Sequence, residues 1–157
     1  MSGQSEGRSK GQTTGMTPGY APHDMLEALS SRFVDPDTIP WDESKPGQRA
    51  KVLYKDDAAR EAWVLVETDP GFVIEDHRHT GLECTFVLEG SMVDQEGTCE
   101  AGNFVWRPEG SRHEVTTPDG SRFLTYFRGG AMNMKTGRIF PDFGPESGKE
   151  AAKEAAE

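Results

Sequence analysis

Cysteine is nearly missing from this chain of 157 residues: Cys84 and Cys99 are the only two. Two thiols cannot build a disulfide framework, and without Cys-x-x-Cys spacing they cannot build a zinc-finger-like site. Both are expected to be reduced and partly buried. Basic charge is also scarce. Seventeen Lys and Arg face 27 Asp and Glu, for a formal net charge of −10. Binding to phosphates is driven by Lys and Arg, so this balance argues against a nucleic-acid partner and against anionic membrane surfaces. The acidity is expected to serve solubility. Long hydrophobic runs are lacking as well. None approaches the ~18 apolar residues of a membrane span, and the N-terminus has no apolar stretch of the signal-peptide kind. A cytoplasmic location is therefore expected.

The remaining material divides unevenly. Residues 1–19 carry glycine throughout and almost nothing apolar, so they cannot offset the entropy of ordering and are expected to be a disordered tail. Residues 144–157 are polar and alanine-rich, a tail with some helical character but no broad apolar face. A single folded domain over 20–143 is left. Pro22–Phe33 has the one good helix signal: Asp24 and Glu27 fit a capping box, and Leu26, Leu29 and Phe33 share a face. Asp35–Gly47, with three prolines, reads as an irregular strap. Nine short strands follow, at Lys51–Tyr54, Ala62–Thr68, Phe72–Asp76, Glu83–Leu88, Ser91–Asp94, Thr98–Ala101, Asn103–Arg107, His113–Thr117 and Arg122–Arg128. Their spacing and the turn residues between them predict an all-β sandwich or barrel.

Histidine is scarce too, yet three of the four histidines cluster in two glycine-framed segments, Gly71–Gly90 and Gly102–Thr117. His77 and His79 are two apart, so on a strand they point the same way. Glu83 opens the next strand and His113 comes from another. Three imidazoles and a carboxylate suit Fe(II), Zn(II), Mn(II), Ni(II) or Co(II), and the choice among them is not written in the ligands. By alternation, Thr85 shares the face of Glu83, while Val115 and Thr117 share that of His113. Phe104 and Trp106 share one face of their strand and Arg107 takes the other. Together with Tyr126, these residues are candidates for a pocket round the metal, with Phe104, Trp106 and Tyr126 read first as core side chains and Arg107 first as solvated or paired with a surface carboxylate. An inward Arg107 would be an anion clamp.

The two segments resemble the paired motifs of the cupin superfamily. The first runs Gly71, five residues, His77, one, His79, three, Glu83, six, Gly90. The second runs Gly102, five residues, Pro108, one, Gly110, two, His113. Thr117 stands where the family more often has Asn. The resemblance implies a double-stranded β-helix, a small antiparallel jelly-roll barrel. It also implies one divalent metal, Fe(II) favoured, held by His77, His79, Glu83 and His113.

Two narrower resemblances point to function. FRGGAMNMKTGRIF (Phe127–Phe140) looks like the closing segment of small cupin dioxygenases that cleave acetylacetone or dihydroxyacetophenone. That likeness implies an oxygenase acting on a small diketone or hydroxyaryl ketone through an enolate. The diketone-cleaving enzymes use a three-histidine site, from which Glu83 departs. HRHTGLE and WDESKPGQRAKVLYKD look instead like the cupin domain of zinc-dependent anti-sigma factors, implying a regulatory sensor. Their His- and Cys-rich N-terminal helical domain has no counterpart here, where His23 stands alone. A cupin isomerase or lyase is a third expectation, since the same ligands support proton abstraction. A homodimer is expected, with the strap Asp35–Pro46 and the preceding helix as its contact.

Overall fold

The structure, a computed structural model, describes residues 29–144. Within them the chain forms eleven β-strands and one short 3-10 turn, Pro36–Thr38, capped by Asp35. The strands are β1 (Asp42–Lys45), β2 (Gln48–Asp56), β3 (Glu61–Thr68), β4 (Phe72–His79), β5 (Leu82–Val93) and β6 (Thr98–Glu100). They continue with β7 (Phe104–Arg107), β8 (Arg112–Thr117), β9 (Ser121–Arg128), β10 (Ala131–Asn133) and β11 (Ile139–Phe140). All pair antiparallel. The order β1-β2-β3-β9-β5-β8-β4-β10-β11, with β6 and β7 also on β5, describes one sheet curled on itself. That is the all-β jelly-roll barrel expected.

β5 is the hinge between the two halves. Its first part pairs with β9 and β7, and its last residues pair with β6 and β8. The sequence reading broke this strand at Glu89-Gly90. The chain bends there instead of breaking: a bulge lies between Val87 and Glu89, and Gly90 takes φ 71°. A side chain at Gly90 would collide with the Gly120 carbonyl, so only glycine lets the two segments pass so closely.

Alternation then fills the interior. Ala62, Val64 and Val66 of β3, Val87 of β5, Val115 of β8, and Phe123 and Phe127 of β9 form the buried core. Full burial of such a side chain is worth roughly 1.5–3 kcal/mol, which stabilises the barrel over the cost of ordering so many short strands. Cys99 is buried in this core and Cys84 is half-buried; both are free thiols.

The expected helix is not borne out where it can be seen. Leu29 and Ser30 form a turn and a bend, and residues 31–35 carry no helix. Leu29 is fully exposed and Phe33 is 63% exposed, so neither is buried as the apolar face of a docked helix would be. Pro36 also disfavours helical backbone at the residue before it. Residues 22–28 lie outside the described residues, as do the tail expectations for 1–19 and 145–157. The strap is less irregular than expected, because β1 lies inside it. No helix among the described residues is long and apolar enough to cross a membrane.

Candidate metal centre

The parity of β4 decides whether its histidines can work together. Ile74 packs against the core, and simple alternation from it would turn Asp76 and Arg78 inward. The β4–β8 register slips by one residue between Ile74 and His77. One extra residue flips every following side chain. His77 and His79 therefore point into the barrel, 7% and 1% exposed. His113 on β8 pairs directly with His77 and is 5% exposed.

The three imidazoles converge. Their ring centroids stand 4.4 to 5.2 Å apart, and ligand nitrogens of all three lie within 4.8 Å of one another. Nε2 of His79 and Nε2 of His113 face each other at 3.0 Å. Two of the three Nδ1 atoms turn outward to acceptors. His77 Nδ1 meets the Glu75 carbonyl at 2.8 Å, in the bulge itself. His113 Nδ1 meets Asp94 Oδ2 at 2.9 Å. His79 Nδ1 is buried without a hydrogen-bond partner; Glu83 Oε2 stands 3.6 Å away.

Electrostatics keep two of these rings neutral. Burial, helped by His77 and Arg107, lowers His79 to about 3. Burial and Arg107 lower His113 to about 4, against the pull of Asp94. A metal ligand must be a neutral imidazole, so this is the state a cation requires.

The donor set fits a divalent ion. Two nitrogens at ~2.1 Å from one cation, at right angles, would be ~3.0 Å apart, as the two Nε2 atoms are. Nδ1 hydrogen bonds to a carbonyl or carboxylate fix the tautomer that leaves Nε2 free, the usual support for a metal-binding histidine.

The fourth expected ligand, Glu83, is not part of this convergence. Its Oε1 accepts from Arg107 Nη1 at 3.2 Å and from Thr85 Oγ1 at 3.3 Å. Arg107 is buried, as expected of an inward residue, but it does not stand free as an anion clamp. Its Nη2 donates to Asp94 Oδ2 at 3.0 Å. Burial pushes the Asp94 carboxyl up, but hydrogen bonds from Arg107, the Glu96 N–H and His113 outweigh that and hold it at about 2. The result is a buried chain: Glu83, Arg107, Asp94, His113.

The remaining pocket candidates scatter. Thr85 joins the site and pairs with Thr125 at 2.9 Å. Val115 faces inward but belongs to the apolar core. Thr117 is inward at the far end of the barrel, bonded to Thr68 Oγ1 at 2.9 Å; three residues of strand separate it from His113. Phe104, Trp106 and Tyr126 are corrections. With Arg107 inward, period two sends Trp106 and Phe104 outward, where they are 61% and 57% exposed. Tyr126 opposes Trp63 on the outer face and donates to Glu61 at 2.8 Å.

Asp94 was missed by sequence reasoning. It ends a strand before Gln95-Glu96-Gly97, and its Oδ1 does accept from Glu96 and Gly97 as a turn residue would. Its other oxygen serves His113 and Arg107, which no local pattern reveals. A surface groove of about 370 Å³ is lined by Arg60, Thr80, Leu82, Trp106 and Arg128 among others. It contains none of the three histidines and is not the centre described here.

A family model for the ChrR cupin-like domain matches residues 30–133. A candidate acetylacetone dioxygenase from Methylibium petroleiphilum PM1 is structurally similar at a TM-score of 0.64 and 22% identity, over 81% of this chain and 98% of that one. An acetylacetone dioxygenase from Acinetobacter johnsonii gives 0.61 and 18%, over 82% and 94%. The anti-sigma factor ChrR, solved with SigE of Rhodobacter sphaeroides, gives 0.52 and 22%, over 59% of this chain and 51% of that one. At these identities the likeness establishes the shared fold. No curated protein matches the chain.

Proposed function

The chain belongs to the ChrR cupin-like family, and from that footing we propose that it is a metal-dependent dioxygenase. It cleaves a carbon–carbon bond beside a carbonyl in a small diketone or hydroxyaryl ketone. The observation that carries this reading is the convergence of His77, His79 and His113, with two Nε2 atoms 3.0 Å apart. These three residues hold the metal, Fe(II) by preference. Bound there, Fe(II) supplies Lewis acidity and one-electron chemistry toward dioxygen.

The chain's own residues do the rest. Asp94 and the Glu75 carbonyl orient His113 and His77. Arg107 and Thr85 keep the Glu83 carboxylate beside the centre. The nearest ligand set is therefore the three histidines, as in the diketone-cleaving enzymes the sequence resembles. A dication, one arginine and two carboxylates leave about one positive charge, which favours an enolate anion over the neutral ketone. The buried walls exclude water from a reacting centre.

Oxygen uptake by the Fe(II)-loaded protein across a panel of β-diketones and hydroxyaryl ketones tests this. Saturable uptake that is lost in His113→Ala is the expected result. The family match itself favours a second reading, a metal-binding regulatory cupin. No uptake with any candidate, together with tight zinc and a co-purifying protein, would replace the enzyme reading with that one. Turnover without oxygen would point to an isomerase or lyase.

A further inference from the structure

β4 turns its histidines inward because of its bulge. Ile74 pairs with Val115 and His77 with His113, so Glu75 and Asp76 together face the one residue Glu114. A regular strand would carry Asp76 and Arg78 inward in place of His77 and His79. The bulge is tied down from both neighbouring strands. On β8, Arg112 Nε donates to the two carboxylate oxygens of Asp76, at 3.0 and 3.1 Å. On the other side, the Met134 N–H donates to the Asp76 carbonyl at 3.0 Å, and Asn133 Nδ2 donates to Glu75 Oε2 at 2.8 Å. Asn133 pairs in register with His77 itself. Its Oδ1 accepts the N–H groups of Lys135 and Thr136, each at 2.9 Å, and its carbonyl accepts the Gly137 N–H at 2.8 Å. These bonds shape the turn between β10 and β11. One side chain therefore joins the closing hairpin to Glu75, the residue whose carbonyl stands 2.8 Å from His77 Nδ1.

We propose that the β10–β11 hairpin sets the geometry of the metal centre, and that Asn133 is the positioning residue through which it acts, by way of Glu75 and His77. The inference rests on the three-histidine centre and adds a residue that touches no metal. The Asn133 amide holds the Glu75 side chain on the outer side of the bulge. Glu75 held there keeps its carbonyl aimed inward at the His77 ring. The carbonyl accepts the hydrogen on Nδ1, which leaves Nε2 as the free nitrogen a cation can use. The choice of residue supports this order. Asp or Ser would shape the same turn through an oxygen. Only an amide also supplies a donor toward Glu75. The bond to Glu75 lies at the surface, where water competes with it and folding stability gains little. Its effect is on position. The register supports it as well, because β10 lies along His77, Arg78 and His79, the segment that carries two of the three ligands.

Titration of the full chain with Co(II), followed by calorimetry and by the visible spectrum of the bound ion, tests the proposal. Asn133→Asp keeps the oxygen that shapes the turn but sets a carboxylate against Glu75. It should weaken Co(II) binding ~10-fold and change the spectrum, with the urea midpoint nearly unchanged. Charge alone predicts the reverse, because an added carboxylate attracts a dication. Adding Glu75→Gln to that variant supplies an amide that donates to the new carboxylate. Affinity should then return to within ~3-fold of wild type, whereas charge alone predicts a loss relative to the single variant. Glu75→Gln by itself keeps an acceptor for Asn133 and should bind Co(II) like the wild type. Affinity in Asn133→Asp within ~2-fold of wild type overturns the proposal, as does a loss that Glu75→Gln fails to recover. The His77 tautomer in the metal-free protein, read by nitrogen NMR, is the second measurement. Its hydrogen should sit on Nδ1 in the wild type, shift in part to Nε2 in Asn133→Asp, and return in the double variant. An unchanged tautomer in Asn133→Asp overturns the proposal. A wild type that binds no Co(II) would refute the metal centre, and the tautomer would then decide the positioning role by itself.

Discussion

Asp94→Ala removes a carboxylate that does four things at once. Oδ2 takes hydrogen bonds from Arg107 at 3.0 Å and His113 at 2.9 Å, and Oδ1 takes the N–H groups of Glu96 and Gly97 at 2.8 and 3.1 Å. The side chain is only 7% exposed, so water cannot replace it. Arg107 keeps Glu83 but loses half of its compensation. Breaking a buried charge pair by deleting one partner costs about 3–5 kcal/mol. The loss falls on the folded apoprotein and should appear in urea unfolding without any metal. His113 also loses the acceptor that pins hydrogen on Nδ1 and leaves Nε2 free. Such supporting groups are worth ~10–100-fold in metal affinity. Asp94→Asn separates the two effects: its amide oxygen keeps an acceptor for the turn, so more stability should survive than in the alanine variant, while affinity still falls. Calorimetric titration with a divalent metal, paired with urea curves, reads both quantities. An alanine variant within ~0.5 kcal/mol of wild type in stability and twofold in affinity would refute the reasoning.

Arg107→Met should move the two quantities in opposite directions. Two buried carboxylates lose their cation, which lowers apoprotein stability by about 3–5 kcal/mol, yet divalent metal should bind more tightly because a positive charge has left its side; weaker binding, by the same titration, would contradict this. The apoprotein should also lose stability in mild acid. The unfolded chain protonates His79 and His113 near ~6.5, whereas the folded chain resists to about 3 and about 4. The unfolded state therefore binds more protons in that window, so stability is full above ~6.5 and falls as pH drops toward 4. A tenfold difference at each residue is already ~3 kcal/mol, and a flat urea midpoint between pH 7 and 5 would rule it out. Gly81→Ala would drive a side chain into the Arg128 carbonyl, on the loop joining His79 to Glu83. A destabilisation of at least ~2 kcal/mol is expected in thermal unfolding; an unchanged midpoint would show that the loop has room to move.

The barrel was legible because its strands alternate and its turns are marked by Gly, Pro and Asp. His77, His79 and His113 were legible from motif spacing and Thr85 from parity, whereas parity set Arg107 opposite Phe104 and Trp106 without saying which side faces in. What remained hidden depends on contacts far apart in sequence. The bulge before His77 has no glycine to announce it, yet it reverses the parity inherited from Ile74. Asp94 carries a turn signature that conceals its second oxygen. Phe104, Trp106 and Tyr126 read as core or pocket residues because large aromatics are usually buried, and here they lie on the outside of the sheet. The Pro22–Phe33 pattern is helical by propensity, but its described part carries no helix and leaves Leu29 and Phe33 exposed, and short helices without a buried face are marginal.

Metal content tests the central claim most directly. The protein, purified without a histidine tag and loaded with Fe(II) under anaerobic conditions, should retain about one metal ion per chain after desalting. His77→Ala, His79→Ala and His113→Ala should each lose most of it. Substoichiometric metal, unchanged in all three variants, would contradict the account.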